Sequence, residues 1–301
     1  GKTHLYLHNL ENGSTQKLTN MQSSVGNVFW SDDDKYLLFT SFVESKKKKL
    51  INMPQRPKGA KWNDAPIEID DMVYRYDGGG YRRSGNSQVF ILPVEGGTPR
   101  QVTDVSKSIR SASWLDNDRV LFSANLSDNS DFEPTNSDIY ILNLKNRNLT
   151  RLTNHFSIDT ESSWSPKGSK IMFTSGRSGS PQLYEIDLRR FNAKPKRITF
   201  DGNYNAKGSY LPNNEGFIFV HRENKNFQIA IKYFSENFIR PLTNAQLDES
   251  PSISPNGNVI VYAITEKGMG LLSGVTLSGV KFKLPAKKGA VREPAWSGFL
   301  R

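Results

Sequence analysis

Asp159-Thr160-Glu161-Ser162-Ser163-Trp164-Ser165-Pro166-Lys167-Gly168-Ser169-Lys170-Ile171-Met172-Phe173-Thr174-Ser175 reads as strand, tight turn, strand. Pro166 presets φ and Gly168 can take φ > 0, which suits residues 165–168 to a reverse turn. Ile171, Phe173 and Ser175 alternate with Met172 and Thr174, the period of two that marks a strand. The unit recurs along the chain, so its spacing decides the fold.

Equivalent turns begin at Trp30, Trp114, Trp164, Tyr210, Ile253 and Trp296, with steps of 84, 50, 46, 43 and 43 residues. A second marker precedes each turn: Leu18-Thr19, Val102-Thr103, Leu152-Thr153, Ile198-Thr199, Leu242-Thr243 and Leu284-Pro285. Before that marker lies an alternating run such as Val89-Phe90-Ile91-Leu92 or Ile139-Tyr140-Ile141-Leu142. Each period therefore holds about four short strands, too few to bury both faces of a sheet alone, so units stack about an axis. The expectation is an all-β, six-bladed β-propeller of four-stranded antiparallel blades. Its ring would close by joining the N-terminal strand near Leu5 to the segment ending after Trp296. A seven-bladed ring is the alternative, because the interval from Trp30 to Trp114 is doubled.

That interval reads as an insertion over residues 43–86 rather than a degenerate blade, since it lacks both markers. It carries Lys46-Lys47-Lys48-Lys49, read as a solvated loop, then Trp62-Asn63-Asp64-Ala65-Pro66. Tyr74-Arg75-Tyr76-Asp77-Gly78-Gly79-Gly80-Tyr81 follows. Long insertions on regular repeats carry function more often than packing. Its candidate site residues are Trp62, Tyr74, Arg75, Tyr76, Asp77 and Tyr81.

Composition narrows the function classes. No run approaches 18 apolar residues, so no membrane span is expected, and no leader of charged then apolar residues opens the sequence. Cysteine is absent, which excludes disulfides and thiol chemistry. Net charge is +10 and uneven: residues 1–154 hold 20 basic and 18 acidic residues, residues 155–301 hold 20 and 12. An acidic partner or surface follows from that excess. Nucleic acid does not, because no basic-aromatic recognition module is present.

Catalytic patterns are incomplete. Gly176-Arg177-Ser178-Gly179-Ser180 lacks the last glycine of a nucleophile elbow and reads as a hairpin. His4, His8, His155 and His221 have no metal-ligand spacing. Asp32-Asp33-Asp34 reads as a turn whose carboxylates bond locally, with calcium binding the alternative. No catalytic residue, metal or cofactor is expected. Asp159, Glu161, Asp248 and Glu249 sit where inner strands begin; their carboxylates either accept hydrogen bonds from neighbouring blades or line a binding mouth.

Two resemblances follow from the residues. Residues 155–301 resemble the C-terminal propeller of TolB, the periplasmic component of the Tol–Pal envelope system. The carriers include Ile158-Asp159-Thr160-Glu161, Arg197-Ile198-Thr199-Phe200-Asp201-Gly202-Asn203-Tyr204-Asn205, Leu247-Asp248-Glu249-Ser250-Pro251-Ser252 and Val291-Arg292-Glu293-Pro294-Ala295-Trp296-Ser297. Residues 1–154 look like the propeller of prolyl-oligopeptidase-family peptidases of the acylaminoacyl-peptidase branch. That likeness is carried by the two insertion motifs and Val89-Phe90-Ile91-Leu92-Pro93-Val94-Glu95-Gly96-Gly97-Thr98-Pro99-Arg100-Gln101-Val102-Thr103. The mixture implies one propeller over 1–301, a hybrid of two half-propellers, natural or built, meeting near Asn154, with a single divergent propeller as the alternative.

The first resemblance implies a non-catalytic, monomeric scaffold that binds the lipoprotein Pal at one mouth, through Thr199, Asp201, Asn203, Asn205, Asp248 and Glu249. It implies a periplasmic location, and a cytoplasmic one if the chain is a recombinant product or peptidase fragment. The second implies a propeller that gates substrate entry to a peptidase whose catalytic domain is absent.

Overall fold

The computed structural model describes residues 2–45, 54–63, 67–69, 71–190, 192–244, 247–266, 268–284 and 290–298. The four-lysine run, residues 64–66, Lys267 and Pro285 fall outside them. The chain starts with a two-stranded ladder, β1 (Tyr6–His8) and β2 (Thr15–Lys17). The first blade follows: β3 (Val25–Trp30), β4 (Tyr36–Glu44), then the hairpin β5 (Arg75–Tyr76) and β6 (Gly80–Tyr81), then β7 (Gly85–Pro93) and β8 (Arg100–Gln101). Strand β4 pairs directly with β7, down to Glu44 opposite Gly85, so the extra residues loop out without opening the sheet.

Four more sheets repeat the pattern. They are β9 (Ile109–Asp116), β10 (Arg119–Ala124), β11 (Asp138–Asn143) and β12 (Leu149–Arg151); then β13 (Asp159–Trp164), β14 (Lys170–Ser175), β15 (Gln182–Asp187) and β16 (Lys196–Arg197). Next come β17 (Tyr204–Tyr210), β18 (Gly216–Glu223), β19 (Asn226–Tyr233) and β20 (Arg240–Pro241); last are β21 (Asp248–Ile253), β22 (Val259–Glu266), β23 (Met269–Thr276) and β24 (Lys281–Lys283). Each sheet is antiparallel and four-stranded. The first strands of successive sheets contact one another, β3 with β9, β9 with β13, β13 with β17 and β17 with β21, so they stand innermost around the axis.

Alternation on the second strands explains the cores. Val120 and Phe122 of β10 face the first blade, while Leu121 between them faces the third. Ile171 and Phe173 of β14 face the second blade and Met172 faces the fourth. A strand buried on both sides reads as a continuous apolar run, and the cores lie between blades rather than within one.

The Leu-Thr marker proves to be a hydrogen-bonded clip. Thr103 Oγ1 accepts the backbone N–H of Val89 at 2.8 Å, and Thr153, Thr199 and Thr243 do the same for Ile139, Leu183 and Ile229 at 2.9 Å. Each buried hydroxyl thereby fixes the end of the fourth strand to the third.

Among the described residues five four-stranded blades form, which corrects the expectation of six or seven. The terminal segments do reach the position of a further repeat. Leu5 N–H bonds Thr19 Oγ1 at 2.9 Å, the same clip, which puts β1 and β2 in the register of third and fourth strands. Val291 N–H bonds Gly270 O at 2.8 Å, as Asp159 N–H bonds Ser137 O, which puts residues 291–298 in the register of a first strand. The two segments do not pair with each other, and among the described residues no second strand lies between them. A sheet needs adjacent strands about 4.8 Å apart, so this repeat makes a two-stranded ladder and a strandless stretch. The expected joining of terminal strands is corrected on the same ground. Residues 291–298 instead link the fifth blade to the first by individual bonds: Trp296 N–H to Ser252 Oγ at 3.1 Å, and Gly298 N–H to Asp34 Oδ1 at 2.7 Å.

Candidate protein-binding face

Antiparallel order assigns every loop to one of two faces. The connections from second to third strands and the links between blades emerge on one face, and the turns from first to second and third to fourth strands on the other. The β5–β6 hairpin of the insertion and the 198–203 connection therefore share a face. The Trp-turns, with Asp32, Asp33 and Asp34, lie on the opposite one. There Asp33 Oδ1 accepts Ser31 Oγ at 2.7 Å, a local turn bond, whereas Asp34 Oδ1 accepts the N–H of Gly298, 264 residues away.

Of the six mouth residues expected from sequence, three are solvent-facing and three are internal. Asp201, Asn203 and Glu249 are exposed. Thr199, Asn205 and Asp248 are fully buried. Thr199 donates to Gln182 Oε1 at 2.8 Å; Asn205 Nδ2 donates to the same Oε1 and to Asp201 O, each at 2.8 Å. Gln182 Nε2 in turn donates to Gly202 O at 3.1 Å. This network holds residues 199–203 as one rigid corner, which presents Asp201 and Asn203 outward.

His221 closes the network from below. Because both hydrogens of the Asn205 amide point elsewhere, its Oδ1 accepts, and His221 Nδ1 at 2.7 Å is the protonated nitrogen. Burial lowers the His221 pKa below 6.5, against the pull of Glu223 and Asp201. Gly202 sits over this ring at φ +77°, where an added Cβ would stand 2.5 Å from His221 Cε1. Only glycine meets both the dihedral and the space.

Sequence reading missed the apolar rim. Phe132, Phe156 and Phe200 are 74, 75 and 68 % exposed, all on the face of Asp201. Phe156 stacks on His155 at 4.3 Å, and Arg197 lies 5.1 Å from the Phe200 ring centroid. A lone phenylalanine in a polar loop carries no period, so only its exposure in the fold reveals it. Exposed aromatics beside polar groups suit docking of a protein surface.

The insertion residues Trp62, Tyr74, Arg75, Tyr76, Asp77 and Tyr81 are likewise exposed. Gly78 and Gly80, at φ +74° and +72°, turn the β5–β6 hairpin and bring the Tyr74 and Tyr81 rings into a stack at 6.3 Å. With Ile67 and Ile69 they line a shallow hollow.

A second missed set surrounds the axis. Asn27, Glu161, Lys207 and Ser250 occupy equivalent bulges in four first strands, each at φ 53–54°, and Glu293 matches them at φ 50°. Ser111 Oγ accepts Glu161 N–H at 2.8 Å, Glu161 Oε2 accepts Lys207 N–H at 3.1 Å, and Lys207 Nζ donates to Ser250 Oγ at 3.1 Å. Glu161 thus spends its carboxylate on the neighbouring blade. Among the described residues no group of His, Cys, Asp or Glu could hold a metal ion.

Residues 129–300 match the family model of the TolB beta propeller domain. The chain belongs to that family. TolB of Nitrosospira multiformis, a Tol-Pal system protein, is 42 % identical over 107 residues, 35 % of this chain and 24 % of that protein. The solved TolB of Acinetobacter baumannii superposes with a TM-score of 0.75 at 28 % identity, covering 98 % of this chain and 63 % of that one. The chain thus spans less than two thirds of either of these two proteins. Likeness to TolB does not stop at residue 154: the family match begins at 129, and the A. baumannii structure spans both parts. The acylaminoacyl peptidase of Pyrococcus horikoshii, at 15 % identity and a TM-score of 0.61, shares the fold alone.

Proposed function

We propose that this TolB-type propeller is a non-catalytic scaffold that binds a protein, and that the partner is Pal, docked on the face that bears Asp201, Asn203, Glu249 and Phe200. The observation that carries this reading is the rigid 199–203 corner: a buried network of Thr199, Asn205, Gln182 and His221 supports a tip that is itself solvent-exposed. Such a build spends stability on presenting a surface, the arrangement of a recognition loop. The TolB relatives are Tol-Pal system proteins by name, which supports Pal as the partner. Asp248, buried beneath Glu249, acts as a support rather than a contact. The insertion hairpin shares the face and would border the partner; its aromatic residues fit a protein contact as well as the gate implied by the peptidase resemblance. A hybrid origin does not enter this reading.

Calorimetric titration of the chain with purified Pal tests it. Saturable binding is expected, weakened about tenfold or more when Phe200 is changed to alanine, a rim aromatic of the type that dominates interfaces. Absence of binding by a chain that melts cooperatively removes Pal as the partner.

A further inference from the structure

The face opposite Asp201 is built from the first-to-second and third-to-fourth turns, and it divides by charge. The first two blades bring Asp32, Asp33 and Asp34 to one turn and Asp116 and Asp118 to the next. Much of that acidity is matched on the spot: Lys35 lies 3.6 Å from Asp33, Arg119 2.6 Å from Asp116 and Lys145 2.5 Å from Asp118. The third blade is basic. Its connection from β15 to β16 is the longest of the five third-to-fourth turns, and the run Arg189-Arg190-Phe191-Asn192-Ala193-Lys194-Pro195-Lys196 holds four cations and no acid. Lys167 stands exposed in the β13–β14 turn of the same blade. Arg189 engages Asp187 at 2.6 Å, which leaves Arg190 at 4.0 Å from that carboxylate with its side chain 81 % exposed. Among the described residues Lys167, Lys194 and Lys196 make no ion pair, so their charge is open to an anionic partner.

Apolar side chains stand out on the same face, at the corresponding turns of the next two blades. Phe238, between β19 and β20, is 57 % exposed, and Val280, between β23 and β24, is 62 % exposed. The Phe234 ring lies 5.6 Å from that of Phe217, which ties the first of these turns to the core. The two exposed groups belong to separate blades and do not follow one strand. A bound peptide runs along one groove or one sheet edge, whereas a flat surface meets separate turn tips together. Cations beside exposed aromatic and aliphatic groups suit the boundary between lipid headgroups and acyl chains.

We infer that this sector docks on an anionic lipid bilayer. Lys167, Arg190, Lys194 and Lys196 meet the headgroup phosphates, and Phe238 and Val280 enter the acyl boundary. Because the acidic turns of the first two blades share the face, the ring docks tilted, with its third to fifth blades toward the lipid. The face of Asp201 then points away from the bilayer. The lipid site therefore neither competes with Pal nor rests on the Pal reading.

Co-sedimentation of the whole chain with vesicles is the test. Vesicles of equimolar phosphatidylglycerol and phosphatidylcholine should bind it about tenfold or more tightly than phosphatidylcholine alone, since each surface cation is attracted to an anionic leaflet. Arg190→Gln, Lys194→Gln and Lys196→Gln combined should weaken that binding about tenfold or more, with melting little changed because all three side chains are exposed. Phe238→Ser should weaken it about fivefold by removing apolar area from the contact. Val280→Ser, on the next blade, repeats that measurement should Phe238→Ser lower the melting temperature. Equal binding to both kinds of vesicle overturns the inference, as does full binding by the triple glutamine variant. Binding that is lost with the cations but unchanged in both serine variants assigns the sector to a soluble polyanion or an acidic protein, and equally overturns it.

Discussion

Glu293 Oε2 accepts the backbone N–H of Asn27 at 2.7 Å across a separation of 266 residues. The bond joins the strandless C-terminal stretch to the innermost strand of the first blade, so it acts as a clasp between the ends of the chain. Its geometry repeats Glu161 with Lys207 at the axis, where one blade's carboxylate holds the next blade's bulge.

Glu293→Ala is therefore expected to lower stability by about 1.5–3 kcal/mol, the range for a hydrogen bond to a charged group. Urea unfolding measures the change; Glu293→Gln, which keeps an acceptor, should lose less. Equal stability of all three chains would remove the clasp.

The threonine clip predicts a chemical rather than a steric dependence. Thr153→Val keeps the shape and removes the acceptor for Ile139 N–H, at a cost of about 1–3 kcal/mol for a buried donor left unpaired. Thr153→Ser should restore most of it. A valine variant as stable as the parent would show that water replaces the hydroxyl.

Gly202→Ala combines left-handed backbone with a Cβ 2.5 Å from His221. A loss above about 1 kcal/mol is expected, together with weaker Pal binding as the 199–203 corner shifts. Gly279→Ala, where nothing lies within 4 Å, carries only the dihedral cost. Thermal melts of the two variants should therefore differ; identical losses would place the whole effect in φ.

His221 makes stability depend on pH. Its folded pKa is lowered by burial, so between that value and 6.5 the unfolded chain binds more protons. Stability is full above 6.5 and falls as pH drops below it toward the folded value. His221→Gln should flatten the profile of denaturation midpoint from about pH 7 to about pH 5. An unchanged slope in that variant would assign the dependence to other groups.

Much of the fold is legible because propeller repeats are local. Trp164, Pro166, Gly168 and Ile171-Met172-Phe173 specify strand, turn and doubly buried strand from neighbours in sequence alone, and the Leu-Thr marker specifies the clip. Thr199, Asp201, Asn203, Asn205, Asp248 and Glu249 were legible as one group but not as two. Which of them face solvent depends on Gln182 and His221, which arrive from other strands.

The sequence by itself determined an all-β repeat, four strands to a blade, and an insertion in the first blade. Tertiary structure alone decided the number of blades, because a strand exists only when paired. Among the described residues, 291–298 and β1 lie in the register of blade strands without pairing with each other. It also decided the left-handed bulges at Asn27, Glu161, Lys207 and Ser250, since those conformations are held by bonds from adjacent blades. Contacts made at long range set both, and such contacts leave no period in the chain.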